Sequence, residues 1–190
     1  MALAKSSFSN ESGFSLAEVM VATGILAAAL ISLAQLFAMA VQSNTSARDA
    51  TFGTVLAQQK LEQLRALSWG FDELGLPTSD LATDTAVQPE TPIGGTGLSP
   101  SPSDALLTNT DGYVDYVDAW GNILGSDGDA RDQAVYFRRW SVEPLPTNPN
   151  NTLILQVIVG RMRDRGTAEG TNRRVRDEAR VMTVKTRKSR

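Results

Sequence analysis

One apolar segment near the start of the chain limits what the protein can fold into. From Phe14 to Val41, a run of 28 residues, the only charged side chain is Glu18. As an α-helix this run would be about 42 Å long, which exceeds the roughly 30 Å hydrocarbon core of a bilayer. A carboxylate near the start of such a segment is costly and is by default a functional residue. We therefore expect residues 14–41 to form a transmembrane or assembly helix in which Glu18 has a function.

The helical pattern continues beyond the apolar segment. No proline occurs before Pro77, and residues 42–70 are mostly helix formers. Apolar side chains recur there with a 3.6-residue period, which places them on one face. These side chains are Leu56, Ala57, Leu61, Leu64 and Leu67. Gly70 is a suitable end point. We expect one helix from about Ser15 to Trp69, with an amphipathic second half that covers another element.

Two regions of different composition follow the helix. Residues 71–110 are rich in Pro, Gly, Ser, Thr and Asp and have no steady period, which indicates a long surface connection. Residues 111–190 contain four runs enriched in β-branched and aromatic residues, as is typical of strands. The runs are Tyr113–Val117, Ala134–Val142, Thr152–Met162 and Val175–Thr186. We expect an α+β fold in which a four-stranded antiparallel sheet packs one face on the amphipathic helix. The best core candidates on that face are Leu153, Leu155, Val157 and Val159.

Charge is distributed unevenly along the chain, although the formal net charge is only −3. Residues 71–137 contain 12 acidic residues and one basic residue, Arg131, whereas residues 161–190 contain 11 basic and 4 acidic residues. This polarity suggests an electrostatic contact between parts of the fold or between subunits. The basic stretch has no aromatic residue and is mixed with acids, so it favours a solvated hairpin over a nucleic-acid interface.

The composition also bears on catalysis and metal binding. The chain has no cysteine and no histidine, so it lacks disulfides, thiol chemistry and the commonest general base. It has no P-loop, GxGxxG or GxSxG motif, and we expect neither enzymatic activity nor a cofactor. The candidate ligands for a hard cation are Asp127, Asp129 and Asp132. Their tract lacks the full EF-hand spacing, so a solvated acidic turn is the favoured interpretation.

The residues at the start of the apolar segment resemble the class III signal of type IV prepilins. The stretch reads GFSLAEVMVA from Gly13 onwards. The leader before it, residues 1–13, contains Lys5 and lacks the apolar core of a secretory signal peptide. The resemblance implies that a prepilin peptidase cuts after Gly13 and N-methylates Phe14. It also implies that Phe14 and Glu18 act in assembly with other pilins.

The resemblance further implies a fold and a function. Pilins have a lollipop layout, in which the second half of a long N-terminal helix packs on an antiparallel sheet. With the helix end AQQKLEQLRAL, the chain is most similar to PilV-type minor pilins. The implied function is a minor pilin that is incorporated into, or primes, a type IV pilus for assembly, adhesion or motility. The implied partners are prepilin peptidase and other major and minor pilins, which bind through the N-terminal helix. The implied location is the inner membrane with a periplasmic head, and then a cell-surface filament.

Two alternatives remain open. A type II secretion pseudopilin shares both the signal and the helix. A periplasmic binding domain or enzyme on an uncleaved membrane anchor belongs to a different class. Loss of the first 13 residues from the mature protein would separate the two pilin-like hypotheses from this third one.

Overall fold

The computed structural model describes residues 13–162 and 178–187, which divide into two compact units, Met1–Thr45 and Ser46–Arg190. Helix α1 spans Leu16–Ala66, which confirms the predicted long N-terminal helix. It ends three residues earlier than expected, because Trp69 already begins a strand. Every described residue of the first unit is exposed. By length and composition, α1 is the one described helix that could cross a membrane.

The second unit contains two antiparallel sheets. Strands β1 (Trp69–Phe71) and β2 (Pro77–Ser79) pair with each other. The larger sheet has five strands in the order β4-β3-β5-β6-β7. Their bounds are β3 Val114–Val117, β4 Ile123–Gly125, β5 Tyr136–Pro144, β6 Thr152–Arg161 and β7 Ala179–Thr186. A short helix, α2 (Gly128–Gln133), connects β4 to β5.

The prediction of a four-stranded sheet was wrong, because the sheet has five strands. The four predicted runs are present as β3, β5, β6 and β7. Residues 175–177, the start of the last predicted run, lie outside the described residues. The additional strand, β4, folds back on the outer side of β3, where the register shifts between Tyr116 and Val117. Three residues are too few for alternation to reveal a strand in the sequence.

The apolar core lies between α1 and one face of the large sheet. The apolar side chains predicted on one face of α1 and the four core candidates predicted on β6 belong to the same buried cluster. Leu67 packs against this cluster and is partly buried. A β-carbon added to Gly53 would come within 3.3 Å of the Ala179 β-carbon, so α1 approaches the start of β7 closely. The far end of the helix meets Lys185, near the end of β7, whose Nζ donates to the Leu67 carbonyl at 2.7 Å. The second half of α1 therefore runs alongside β7.

Residues 71–110, expected to be a surface connection, are partly anchored to the core. They contain β2 and an isolated antiparallel bridge between Asp84 and Thr91. Thr85, Ala86 and Leu98 are buried. The Thr85 carbonyl accepts a hydrogen bond from Lys60 Nζ at 2.5 Å, which ties the segment to α1.

Candidate functional site

The three residues of the predicted processing and assembly site lie at the accessible start of α1. The Ser15 side chain and carbonyl accept hydrogen bonds from the Glu18 N–H at 3.2 and 3.1 Å, which is capping geometry. Phe14 is 82% exposed, and a β-carbon added to Gly13 would have no atom within 4 Å. The Glu18 carboxylate lies in the first helical turn, where the helix dipole favours a negative charge. Gly13, Phe14 and Glu18 are thus all open to a peptidase or a partner subunit.

Two hydroxyls of the apolar half, those of Thr23 and Ser32, find acceptors within the helix. Each donates at 2.9 Å to the carbonyl four residues earlier. Such internal bonds reduce the cost of a hydroxyl in lipid. A side-chain carboxylate in an apolar medium finds no such acceptor within its own helix, because it has no proton to donate. It needs a hydrogen-bond donor or a cation from outside that helix. Glu18 is the one charged group of residues 14–41, and its carboxylate calls for an external partner.

The acidic tract has a local structural role. Asp127 caps α2, because its Oδ1 accepts a hydrogen bond from the Ala130 N–H at 2.8 Å. Asp129 lies in the first turn of α2, where a carboxylate is favoured, and Asp132 is exposed. Within residues 13–162 and 178–187, no three Asp, Glu, His or Cys side chains converge to hold a metal ion. Helix capping and the helix dipole thus account for Asp127 and Asp129.

A cluster of buried charges is the feature that the sequence did not indicate. The Asp115 carboxylate on β3 accepts from Lys60 Nζ on α1 at 2.7 Å. It also accepts from Nε and Nη2 of Arg138 on β5, both at 2.7 Å, in a bidentate pair. All three side chains are 0% exposed. Lys60 Nζ also lies 3.8 Å from the centre of the Trp140 ring.

The electrostatics of this cluster are unbalanced, because two cations surround one carboxylate. Burial lowers the pKa of Lys60 to about 8, although the Asp115 carboxylate opposes this shift. Burial alone would raise the pKa of Asp115, but Lys60 and Arg138 together hold that pKa below its usual value. Because no member of the cluster reaches solvent, we assign it a structural role. It fixes α1, β3, β5 and the Thr85 backbone in one arrangement.

A second polar contact joins α1 to the sheet near the start of the second unit. Asp49 is almost fully buried and forms an ion pair with Arg161 of β6. The Tyr136 hydroxyl of β5 also donates to Asp49, at 3.4 Å. Burial, followed by the Asp49 charge, raises the pKa of Tyr136. This contact anchors the first turns of the packed half of the helix.

Comparison with protein-family models, curated proteins and solved structures found no match to this chain. The function is therefore inferred from the N-terminal segment and from the packing of α1.

Proposed function

We propose that the protein is a pilin-like subunit, specifically a minor pilin of a type IV pilus. One observation carries the proposal. Glu18 is the only charged residue in the exposed apolar segment 14–41, which is long enough to span a membrane, and it lies five residues after Gly13 in an accessible, capped first turn. Further support comes from the same helix, whose second half covers an antiparallel sheet. A subunit of this kind needs one part that leaves lipid for a helical bundle and another that folds in water.

The proposed mechanism begins with cleavage after Gly13, which creates a new α-amino group on Phe14. Glu18 lies about 6 Å further along the helix axis, so the amine of the same chain cannot meet its carboxylate without strain. A neighbouring subunit shifted along the axis supplies the amine instead. A close ion pair in low dielectric is strongly favoured over either charge alone, so the pair also sets the register between subunits.

Two other functions use some of the same features. A type II secretion pseudopilin shares the cleavage and the assembly helix, and the neighbouring genes would distinguish it from a pilus subunit. An anchored periplasmic binding domain or enzyme would keep residues 1–13 in the mature protein. The mass of the mature N-terminus therefore decides between the pilin-like proposals and this third function.

The first test replaces Gly13 with Asp in the full chain. The wild-type chain should begin at a methylated Phe14, whereas Gly13→Asp should accumulate as uncleaved precursor in the membrane. Gly24→Ala is the control, because a β-carbon added to this glycine of α1 has no atom within 4 Å and the change leaves the junction intact. Intact-mass spectrometry of membrane fractions gives the answer. Normal processing of Gly13→Asp would contradict the proposed site.

The second test separates assembly from processing. Glu18→Ala should still be cleaved and still reside in the membrane, but it should be depleted from sheared filaments because its register pair is lost. Glu62→Ala is the matched control, since Glu62 is an exposed carboxylate in the second half of the same helix. Immunoblots of the sheared and membrane fractions measure the ratio of filament-incorporated to membrane-resident protein. Incorporation of Glu18→Ala at the wild-type level would remove the assembly role.

A further inference from the structure

The residues at the proposed cleavage point lie outside the helix that follows them. Gly13, Phe14 and Ser15 are not helical, and α1 begins at Leu16. The Ser15 carbonyl accepts from the Val19 N–H at 3.2 Å, which begins the hydrogen-bond pattern of the helix. No described backbone N–H donates to the carbonyl of Gly13 or Phe14. The peptide bond between these two residues is therefore free of helical hydrogen bonds.

Ser15 sets this boundary of the helix. Its Oγ accepts from the Glu18 N–H at 3.2 Å, so Ser15 occupies the N-cap position. An N-cap side chain gives a partner to an amide that has none within the helix, and the N-cap residue itself has a non-helical backbone. The Ser15 side chain thus stabilises a helix that starts at Leu16 relative to one that starts earlier.

The sequence offers an earlier start. Ser12, just before the proposed cleavage site, is also of a residue type that caps helices. A helix capped at Ser12 would take the Gly13–Phe14 bond into its first turn, and the Gly13 carbonyl would then accept from the Ala17 N–H. Proteolysis follows the population of the open form of a segment when opening is fast. The position of the helix start therefore determines how many chains present a cleavable bond.

We propose that Ser15 is a positioning residue for cleavage, which caps α1 and so keeps the Gly13–Phe14 bond outside the helix and open to the prepilin peptidase. This inference rests on the proposed function. The peptidase adds water across the amide, which leaves a carboxylate on Gly13 and an α-amino group on Phe14. Ser15 takes no part in that chemistry and acts before it, through the conformation of the substrate.

A direct contact between the Ser15 hydroxyl and the peptidase makes a different prediction. Loss of a cap lowers the fraction of chains that can bind, which raises KM and leaves kcat unchanged. Loss of a contact made in the transition state lowers kcat. The two roles also differ in rescue, because any capping side chain serves the first role and only a hydroxyl serves the second.

The test measures initial rates of cleavage of the full chain in detergent by purified prepilin peptidase. Ser15→Ala should raise KM by about two- to tenfold with kcat unchanged, because loss of an N-cap shifts the helix start by a factor of this order. Ser15→Asn should keep KM within about twofold of the wild-type value, because Asn caps as well as Ser and has no hydroxyl. Ser32→Ala is the matched control and should change neither constant, since it removes a serine hydroxyl of α1 that donates to the Ala28 carbonyl.

The helix start is measured separately, by hydrogen exchange at the amides of Leu16 and Ala17. These N–H groups gain acceptors within the helix if it begins at Ser12. Their exchange should slow in Ser15→Ala and not in Ser15→Asn. Adding Ser12→Ala to Ser15→Ala removes the upstream cap and should restore part of the wild-type KM.

Three results would overturn the proposal. They are an unchanged KM in Ser15→Ala, a lowered kcat that Ser15→Asn does not restore, and unchanged exchange at Leu16 and Ala17. Absence of cleavage after Gly13 in the wild-type chain would refute the proposed function and this role together. Wild-type cleavage with normal kinetics in Ser15→Ala would refute this role alone, so the two failures are distinguishable.

Discussion

Replacing Asp115 with Asn tests whether the buried cluster depends on its single negative charge. The substitution preserves the size of the side chain but removes the charge that Lys60 and Arg138 share. The Asn carbonyl oxygen can still accept hydrogen bonds, yet its NH2 group is a donor and faces cations that are donors themselves. Two buried cations would then lie together without a carboxylate.

The expected loss is large on the scale of folding. Breaking a buried ion pair by removing one partner typically costs about 3–5 kcal/mol. All three side chains are 0% exposed, so solvent cannot screen the remaining charges. A loss of this size changes the ratio of folded to unfolded protein by roughly 10² to 10⁴, and whole domains are stable by only about 5–15 kcal/mol. We therefore expect Asp115→Asn to lower the unfolding midpoint substantially.

The assay is urea unfolding of the full chain in detergent at pH 7, followed by tryptophan fluorescence. Glu62→Gln is the matched control, because it makes the same change in an exposed pair with Arg65 and should cost at most about 0.5 kcal/mol. Adding Lys60→Met to Asp115→Asn should recover part of the loss, since it removes one uncompensated cation. If Asp115→Asn cost no more than the control, the carboxylate would not be holding the cluster together.

Two further predictions concern pH and the division of the chain. The pKa of Lys60 is about 8 in the folded protein, below its ordinary value of 10.5. Between these two pH values the unfolded chain binds more protons than the folded one. The free energy of unfolding should therefore rise with pH in that window, by up to roughly 3 kcal/mol. Lys60→Met should flatten this rise in the same unfolding assay; an equal rise in both proteins would contradict the assignment. Residues 42–190, expressed without the apolar half, should fold as a soluble α+β monomer, because Ser46–Arg190 forms its own compact unit. Circular dichroism and size-exclusion chromatography test this, and an aggregated or unfolded product would refute it.

The elements that the sequence predicted well are the long ones. Helix α1 has 51 residues, and β5 and β6 have nine and ten, so their apolar patterns extend over several periods. Strands β1, β2 and β4 have three residues each, too few for a period, and β2 starts at a proline. Short strands depend on the partners beside them, and a single sequence does not reveal those partners.

The buried cluster escaped prediction for a different reason. Arg138 and Arg139 are adjacent in a strand, so they point to opposite faces and at least one must face a covered surface. This adjacency was the only sign in the sequence of a buried arginine. It does not identify the ion-pair partners of Arg138, because Asp115 and Lys60 are 23 and 78 positions away and each resembles a solvated residue in its own segment. The roles of Gly13, Phe14 and Glu18 stay predictions, because cleavage and assembly depend on a peptidase and on neighbouring subunits that this single chain does not include.

The contact between Lys185 and the end of α1 has a consequence for biosynthesis. The lysine caps carbonyls that precede it by 118 to 121 positions, and β6 and β7 supply much of the surface that the helix stripe covers. At roughly 5–20 residues per second, translation delivers these strands some 6–24 s after the helix. During that interval the apolar face of α1 that carries Leu56, Leu61 and Leu64 lacks the β6 and β7 residues that cover it in the folded protein. The nascent polypeptide therefore exposes an apolar helix face to misassociation until β6 and β7 have been made.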